Sequence, residues 1–442
     1  MTTPLDDLYT AHLQAQRQHT DAALASCGFD SLAIHAGQAH VQFLDDQPYP
    51  FKANPHFKLW VPLADAADCW LVYRPDAPLK LIFLQPIDYW YKPPPIPSDH
   101  WARHFNVQVI REAAQARWHL ENPGRCAFIG EWQEHFKDWG FSACNPAALL
   151  HQLHYQRAVK TDYELQCMRN ASALAAPAHA AAEAAFRNGA SEYEIHLAYL
   201  RASGHTEAQL PYPSIVALNS NAAVLHYQHQ ELAVPAQHRS FLIDAGAQFA
   251  GYAADITRTY SAAGDEFAAL IDAMQDLQQA LCDEVRSGID YAEIHLGAHL
   301  RIAELLHDAD LVTLVPRDAV DSGLSSVFFP HGIGHLLGLQ VHDIAGFAVD
   351  AHGNQKAPPA EHPHLRLTRR LEPGFVVTIE PGLYFIDALL EQARGSQHGQ
   401  HINWQRVEQF RPYGGIRIED NVACTGDEPE NLTRAAFANM DG

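Results

Sequence analysis

Acidic residues interrupt apolar, strand-favouring runs at four places in the back half of this 442-residue chain, and a histidine marks a fifth, glycine-rich segment. The runs are FLIDAGA with Asp244, YAADITRTY with Asp255, FVVTIEPGLYF with Glu380 and GGIRIEDNV with Glu419; His335 lies in FFPHGIGHLLGLQVHD. An unpaired carboxylate buried among such side chains costs several kcal/mol or more, so a fold that encloses these acids must supply a cation or a network of donors. Four carboxylates and one imidazole form a hard, oxygen-rich set that suits Mn²⁺, Co²⁺ or Zn²⁺. A single zinc ion typically takes three or four protein ligands, whereas four carboxylates, some of them bridging, can hold two divalent ions roughly 3.5–4 Å apart around a shared nucleophilic water. The reading is a two-metal hydrolytic site built from Asp244, Asp255, His335, Glu380 and Glu419. Asp244 taken alone could simply cap a turn; the matching contexts of the other acids decide against that.

The order of these segments, with Asp255 eleven positions after Asp244, then HGIGH with HD beyond it, TIEPG and a late RIED, resembles the metal signature of the pita-bread metallopeptidases. Within that family, PHGIGHLLGLQVHD and TIEPGLYF are most similar to the bacterial prolidases, Xaa-Pro dipeptidases related to organophosphorus acid anhydrolase. The likeness extends to YPSIVALNSNAAVLHY, RAVKTDYELQCMRNAS and FKANPHFKLWVP, nearly the whole chain. It implies an α/β (α+β) protein. A smaller amino-terminal α/β domain, residues 1–155, would serve substrate access and dimerisation. A pita-bread catalytic domain, 156–442, would carry a curved, mostly antiparallel sheet flanked by helices. It also implies two divalent ions per chain, Mn²⁺ ahead of Co²⁺ or Zn²⁺, and a homodimer.

The resemblance assigns roles. Glu380 would be both ligand and proton shuttle, His342 the donor to the tetrahedral oxyanion, and His226 a second substrate-facing histidine. His331 and Arg417 would grip the prolyl carboxylate. For Arg417, which alternates with Glu419 on one strand face, a salt bridge to a ligand carboxylate is the other reading. Tyr212, Leu225, Tyr291 and Leu365 match pocket positions of the related anhydrolase. Asp45 and Trp90 would come from the amino-terminal domain, with Tyr89 as an alternative to Trp90. Among 28 histidines a lone one is weak evidence, and it is the HGIGH spacing, with His342 seven residues after His335, that singles these out.

An Xaa-Pro bond is a tertiary amide without an N–H, so a dedicated pocket is needed to cut it. A grip on the free carboxylate would restrict the enzyme to dipeptides. Aminopeptidase P, which acts on longer Xaa-Pro peptides, is the nearest alternative; slow hydrolysis of organophosphate triesters is chemically open to the same site. A non-enzymatic pita-bread binding module is the alternative of another class, and the intact ligand set argues against it.

Composition sets outer limits. Thirty lysines and arginines against 52 acids give a net charge of −22, which disfavours nucleic acid and acidic membrane surfaces as partners. Seven scattered cysteines without a CxxC pair point to reduced thiols. The opening MTTPLDDLYTAHLQAQRQ lacks the basic start and apolar core of a signal peptide, and no run approaches the roughly 20 apolar residues of a membrane span, so a cytoplasmic location is expected.

Local pattern predicts a helical opening, then strands at SLAIHAG, FKLWVPL, CWLVYRP and LKLIFLQP. The proline-rich YWYKPPPIPSDHW reads as a loop. One long amphipathic helix is predicted over roughly 150–175, followed by the helix-favouring ALAAPAHAAAEAAF. SFLIDAGAQFAGYAADITRTYS reads as a hairpin turning at Gly251, residues 263–309 as two helices, and DALLEQARGSQHGQHINWQ as a loop.

Overall fold

The computed structural model describes residues 4–120 and 124–440. It divides into two compact units, one comprising the chain up to Arg157 with Thr161–Cys167 and Asp350–Asn354, the other the remainder.

The amino-terminal unit opens with the helix Leu5–Cys27, which ends at Gly28 with φ of 68°. That left-handed residue is where a helix stops at least cost. A six-stranded mixed sheet follows, in the spatial order Phe105–Ile110, Leu79–Leu84, Trp70–Tyr73, Ser31–His35, Cys126–Ile129, Ala143–Cys144. Trp70, Phe128 and Phe136 pack over it with Ala33 and Ile82. The strand predicted at FKLWVPL is absent. Asn54 accepts a hydrogen bond from His56 N and Pro55 occupies the first helical position, so the segment enters a short helix, Pro55–Lys58, and then turns. The asparagine–proline cap outweighs the apolar alternation. Residues 85–99, which include most of the proline-rich stretch, carry neither helix nor strand.

The single long helix predicted around residue 160 is two, Ala147–Arg157 and Asp162–Arg187. Thr161 starts the second: its N–H donates to Glu164 Oε2 at 2.9 Å and its Oγ1 accepts from Glu164 N at 3.4 Å. This reciprocal capping box, Thr-Asp-Tyr-Glu, overrides the amphipathic period. The second helix then runs through Pro177.

The larger unit is built on antiparallel pairings. Ser240–Asp244 lies between Ile215–Leu218 and Thr257–Ser261; Asp420–Cys424 lies between Val376–Ile379 and Pro429–Asn431; Gly382–Tyr384 pairs with Gly415–Arg417. The helices Glu266–Cys282 and Tyr291–Asp308 cover them, burying Met274, Leu281, Ile294 and Ile302 with Val377, Ile379, Ile416 and Ile418. The predicted loop at DALLEQARGSQHGQHINWQ is instead largely helical, with Asp387–Arg394 and Trp404–Phe410 flanking a 3-10 turn. Leu390, Ala393, Ile402 and Val407 join the same core, and their burial stabilises helices that local composition disguised.

Candidate metal centre and active site

Asp244 closes the strand Ser240–Asp244 and pairs with Thr257. From there the chain makes a two-residue ribbon, Gln248–Phe249 against Tyr252–Ala253, turning at Gly251 with φ of 87°, and returns through Asp255. The hairpin is as predicted, although Asp255 falls two residues short of the returning strand. Thr257 also bridges to Glu419, whose N–H donates to Thr257 O at 3.0 Å. Ile379 is registered against Asp420, so the adjoining Glu380 and Glu419 leave the paired strands at the same end.

His335 sits in an irregular segment held to the strand Val376–Ile379. Its N–H donates to Thr378 Oγ1 at 3.0 Å and its carbonyl accepts from Thr378 N at 3.0 Å. A glycine is required beside it: a Cβ on Gly334 would lie 2.2 Å from Thr378 O and 2.4 Å from Tyr291 Oη. His335 Nδ1 donates to Leu336 O at 2.9 Å, which leaves the Nε2 lone pair aimed inward. Nε2 lies 3.5 Å from Asp255 Oδ2 and 3.7 Å from Glu380 Oε1. One ligand atom each from Asp255, His335 and Glu419 falls within 4.8 Å of the other two.

The electrostatics of these acids ask for positive charge. Burial, only partly offset by His335 and Arg417, pushes Glu380 up to about 7, with Asp255 and Asp244 adding to the rise. Glu419 is raised well above the usual range by burial and then by Asp255, Glu380 and Asp244. Asp244 is raised by burial against the pull of Arg417, and its Oδ1 is buried without a hydrogen-bond partner among the described residues. The next residue in sequence makes the contrast. Asp420 is equally buried, yet Arg258 Nη2 at 2.7 Å and Arg434 Nε at 2.8 Å hold its carboxyl below the usual range against the penalty of burial. Asp420 is satisfied by guanidinium groups, whereas the neighbouring carboxylates face one another. Such a donor set fits divalent cations.

Beside the acids runs a hydrogen-bonded chain. Arg417 donates from Nη2 to Asp244 Oδ2 at 2.7 Å, from Nε to Thr257 Oγ1 at 3.2 Å and from Nη1 to Tyr384 Oη at 3.1 Å. Tyr384 Oη in turn meets His331 Nε2 at 2.8 Å, while His331 Nδ1 donates to Gly332 O at 2.8 Å. Burial and then the nearby Arg417 pull the His331 pKa down to about 3, so the ring is neutral and Nε2 accepts from the tyrosine. Arg417 therefore bonds a carboxylate of the acid cluster and keeps two of its five N–H groups uncommitted among the described residues.

His342 stands edge-on to His335, ring centres 4.5 Å apart, and is more open to solvent. Partial desolvation, then His335 and Arg366, lower its pKa to about 4. The following Asp343 forms a buried ion pair with Lys160 at 3.1 Å, which anchors this stretch. His226 is exposed and within electrostatic reach of both His331 and His342. Tyr212 presents a buried hydroxyl toward Asp244 and Asp255. Leu225 is half-buried. Tyr291 is closed off from solvent, its hydroxyl donating to Thr378 O at 2.7 Å, and Leu365 is buried in the same core. Asp45 and Trp90 are both exposed on the amino-terminal unit. Three residues that the sequence reading left out belong to this environment: Tyr384, Thr257, which donates to Glu419 Oε2 at 2.6 Å, and Thr378. Tyr384 had a signal, since it alternates with Gly382 on the strand that follows Glu380.

Residues 7–155 match the Xaa-Pro dipeptidase N-terminal domain, and residues 166–426 match Metallopeptidase family M24. The chain belongs to family M24. It is 50% identical over 435 residues to the Xaa-Pro dipeptidase of Pseudoalteromonas atlantica, covering 97% of this chain and 98% of that one. To the Xaa-Pro dipeptidase of Xanthomonas campestris pv. campestris it is 51% identical over 444 residues, covering 99% and 100%. In fold the M24 chain is similar to the aminopeptidase PepP of Pseudomonas aeruginosa, with a TM-score of 0.73 and 22% identity over 99% of both chains. The M24 assignment makes the protein a metal-dependent peptidase whose acid cluster is the candidate dinuclear centre.

Proposed function

We propose that this M24 enzyme is a dipeptidase that hydrolyses Xaa-Pro dipeptides. One observation carries the reading: the chain matches Xaa-Pro dipeptidases end to end at half identity, including the domain that precedes the peptidase region.

Asp244, Asp255, His335, Glu380 and Glu419 would hold two divalent ions, Mn²⁺ by preference for an oxygen-rich set. When bound, such ions acidify a water and polarise the scissile carbonyl. The side chains do the rest. Glu380 takes the proton of the attacking water and returns it to the leaving prolyl nitrogen. His342, neutral at working pH, donates an N–H to the oxyanion, and His226 faces the substrate beside it. Arg417 aims its uncommitted N–H groups at the prolyl carboxylate, and Tyr384 links it to His331 on the same wall. Tyr212, Leu225, Tyr291 and Leu365 would line the pocket. The amino-terminal domain, 1–155, takes the access and homodimer-forming role, with Asp45 and Trp90 as its substrate-facing groups. Its exposed Phe43, Leu44, Ile87, Tyr89 and Trp90 are unusual for a free surface. Seven free cysteines support a reducing, cytoplasmic setting, and among the described residues no helix is long and apolar enough to cross a membrane.

Metal-reconstituted enzyme offered Ala-Pro, Ala-Pro-amide and an Ala-Pro-Yaa tripeptide tests the reading. Ala-Pro should be cleaved well and the other two poorly. Equal turnover of all three would replace the dipeptidase by an enzyme of the aminopeptidase P kind.

A further inference from the structure

Three further histidines converge within electrostatic reach of His331. His295 and His299 lie four residues apart on the helix Tyr291–Asp308 and so share one face of it. His362 reaches them from an irregular segment that turns on itself, His362 N donating to Pro359 O and His362 O accepting from Leu365 N. The ring centres are 4.7 Å apart for His295 and His299, and 4.6 Å from each of these to His362. One nitrogen from each ring falls within 4.8 Å of the other two. A tetrahedral ion about 2.1 Å from three imidazole nitrogens sets them roughly 3.4 Å apart, inside the 4.8 Å within which the three nitrogens already lie.

The triad has the marks of a built site. His299 Nδ1 pairs with Ser325 Oγ at 2.9 Å, which orients the ring and leaves Nε2 as the ligating atom. His295 is 2% exposed, and its Nδ1 is buried without a partner among the described residues. A polar nitrogen left so is costly and asks for an explanation. Phe329 packs against both rings, at 5.8 Å and 4.8 Å, and closes one side. Burial first, and the neighbouring imidazoles after it, hold His295 at about 2 and His299 at about 3, so these rings carry no proton for a metal to displace at neutral pH.

We propose that His295, His299 and His362 form a third cation site, an imidazole-only site for a borderline divalent ion of the zinc class, with ligands separate from the carboxylate centre. Three neutral nitrogens and no carboxylate oxygen in the group select Zn²⁺, Cu²⁺ or Ni²⁺ over Mn²⁺. Three protein ligands leave the fourth tetrahedral position open to water or a small anion.

Full-length protein dialysed to equilibrium against micromolar Zn²⁺, with bound metal counted, tests this directly. The parent should hold one equivalent more than His299→Ala or His362→Asn, and either variant should weaken Zn²⁺ binding at that equivalent by at least about a hundredfold, the upper end of what losing even an outer partner costs. Ser325→Ala should weaken it by roughly 10–100-fold. With Co²⁺ in place of Zn²⁺, the visible absorption of a tetrahedral ion should vanish in His362→Asn and persist in Asp255→Ala. His362 lies on a partly exposed segment, so its substitution leaves the helix intact and thermal unfolding can verify the fold. Equal metal content and equal spectra in the parent and His362→Asn would overturn the proposal.

Discussion

The acid cluster and the histidine triad are two ways of gathering ligand-type side chains, and they carry opposite liabilities. The acid cluster collects carboxylates from four separate segments and places them against one another, where burial and mutual repulsion raise Glu380, Glu419 and Asp244. The triad takes two rings from one helix and a third from a loop, each with its pKa lowered first by burial. Like charges in a buried site ask for a cation before the fold is at ease, so metal binding there contributes directly to stability. Neutral imidazoles ask for much less. Similar proximity thus signals an obligatory centre in one region and an optional one in another.

The largest effect should separate the two regions outright. Asp255→Ala and Glu419→Ala should each lower peptidase activity by on the order of 10³-fold or more, beyond the cost of losing one oxyanion donor. Metal should be lost from the acid cluster while the histidine-dependent equivalent remains. Full activity in either variant, measured after a check of metal content, would remove the acid cluster from the chemistry.

Next comes the proton carrier. Glu380→Gln should reduce kcat by roughly 10²–10⁴-fold, and a steady-state assay in which kcat is unchanged would return the task to another group. His299→Ala, in contrast, should leave kcat with bound Mn²⁺ within about twofold, since it touches no reacting atom in the proposed mechanism.

Backbone crowding gives a middling effect. Gly334→Ala forces a methyl toward Thr378 O and Tyr291 Oη, and overpacking of this kind typically costs about 1–3 kcal/mol. Because the same turn presents His335, metal affinity should fall with the midpoint of thermal unfolding. A variant with parental unfolding and metal content would show that the turn has slack.

The subtlest test is the dependence of stability on pH, where the two regions should slope in opposite directions. Glu380, held at about 7 against its usual 4.5, is protonated in the metal-free folded protein where the unfolded chain has already ionised. Its stabilising contribution is full below 4.5 and is lost as pH rises through 7. His295 and His299, held at about 2 and 3 against a usual 6.5, bind protons more readily in the unfolded chain. Their contribution is present above 6.5 and is lost as pH falls toward 3. Urea midpoints of metal-free protein across this range should show Glu380→Gln flattening the loss on the alkaline side and His299→Ala flattening the loss on the acid side. Identical profiles for the parent and both variants would mean that neither group titrates as its surroundings imply.

How legible each region was in the sequence follows from how it is held together. Every acid ligand interrupts an apolar run, which is visible in a single line of residues because strand alternation and burial are local properties. The capping box at Thr161 and the Asn54–Pro55 helix start are equally local signals, and their terminal hydrogen bonds outweigh the amphipathic period and the apolar run that point the other way. Tyr384 lay inside a segment already singled out; its link to Arg417 and His331 depends on the pairing of Gly382–Tyr384 with Gly415–Arg417, a contact between distant stretches. The helices in 387–410 needed the core to reveal them.

The sequence alone determined that buried acids and a glycine-flanked histidine must meet a cation, because an uncompensated charge in an apolar run has no other low-energy outcome. Only the tertiary structure decided that Asp420 answers to Arg258 and Arg434 while its neighbour Glu419 faces other acids, since adjacent strand residues point to opposite sides and what waits on each side comes from elsewhere in the chain. It alone brought His362 to His295 and His299, because proximity between a helix face and a remote loop is set by packing and leaves no periodic trace in the residues themselves.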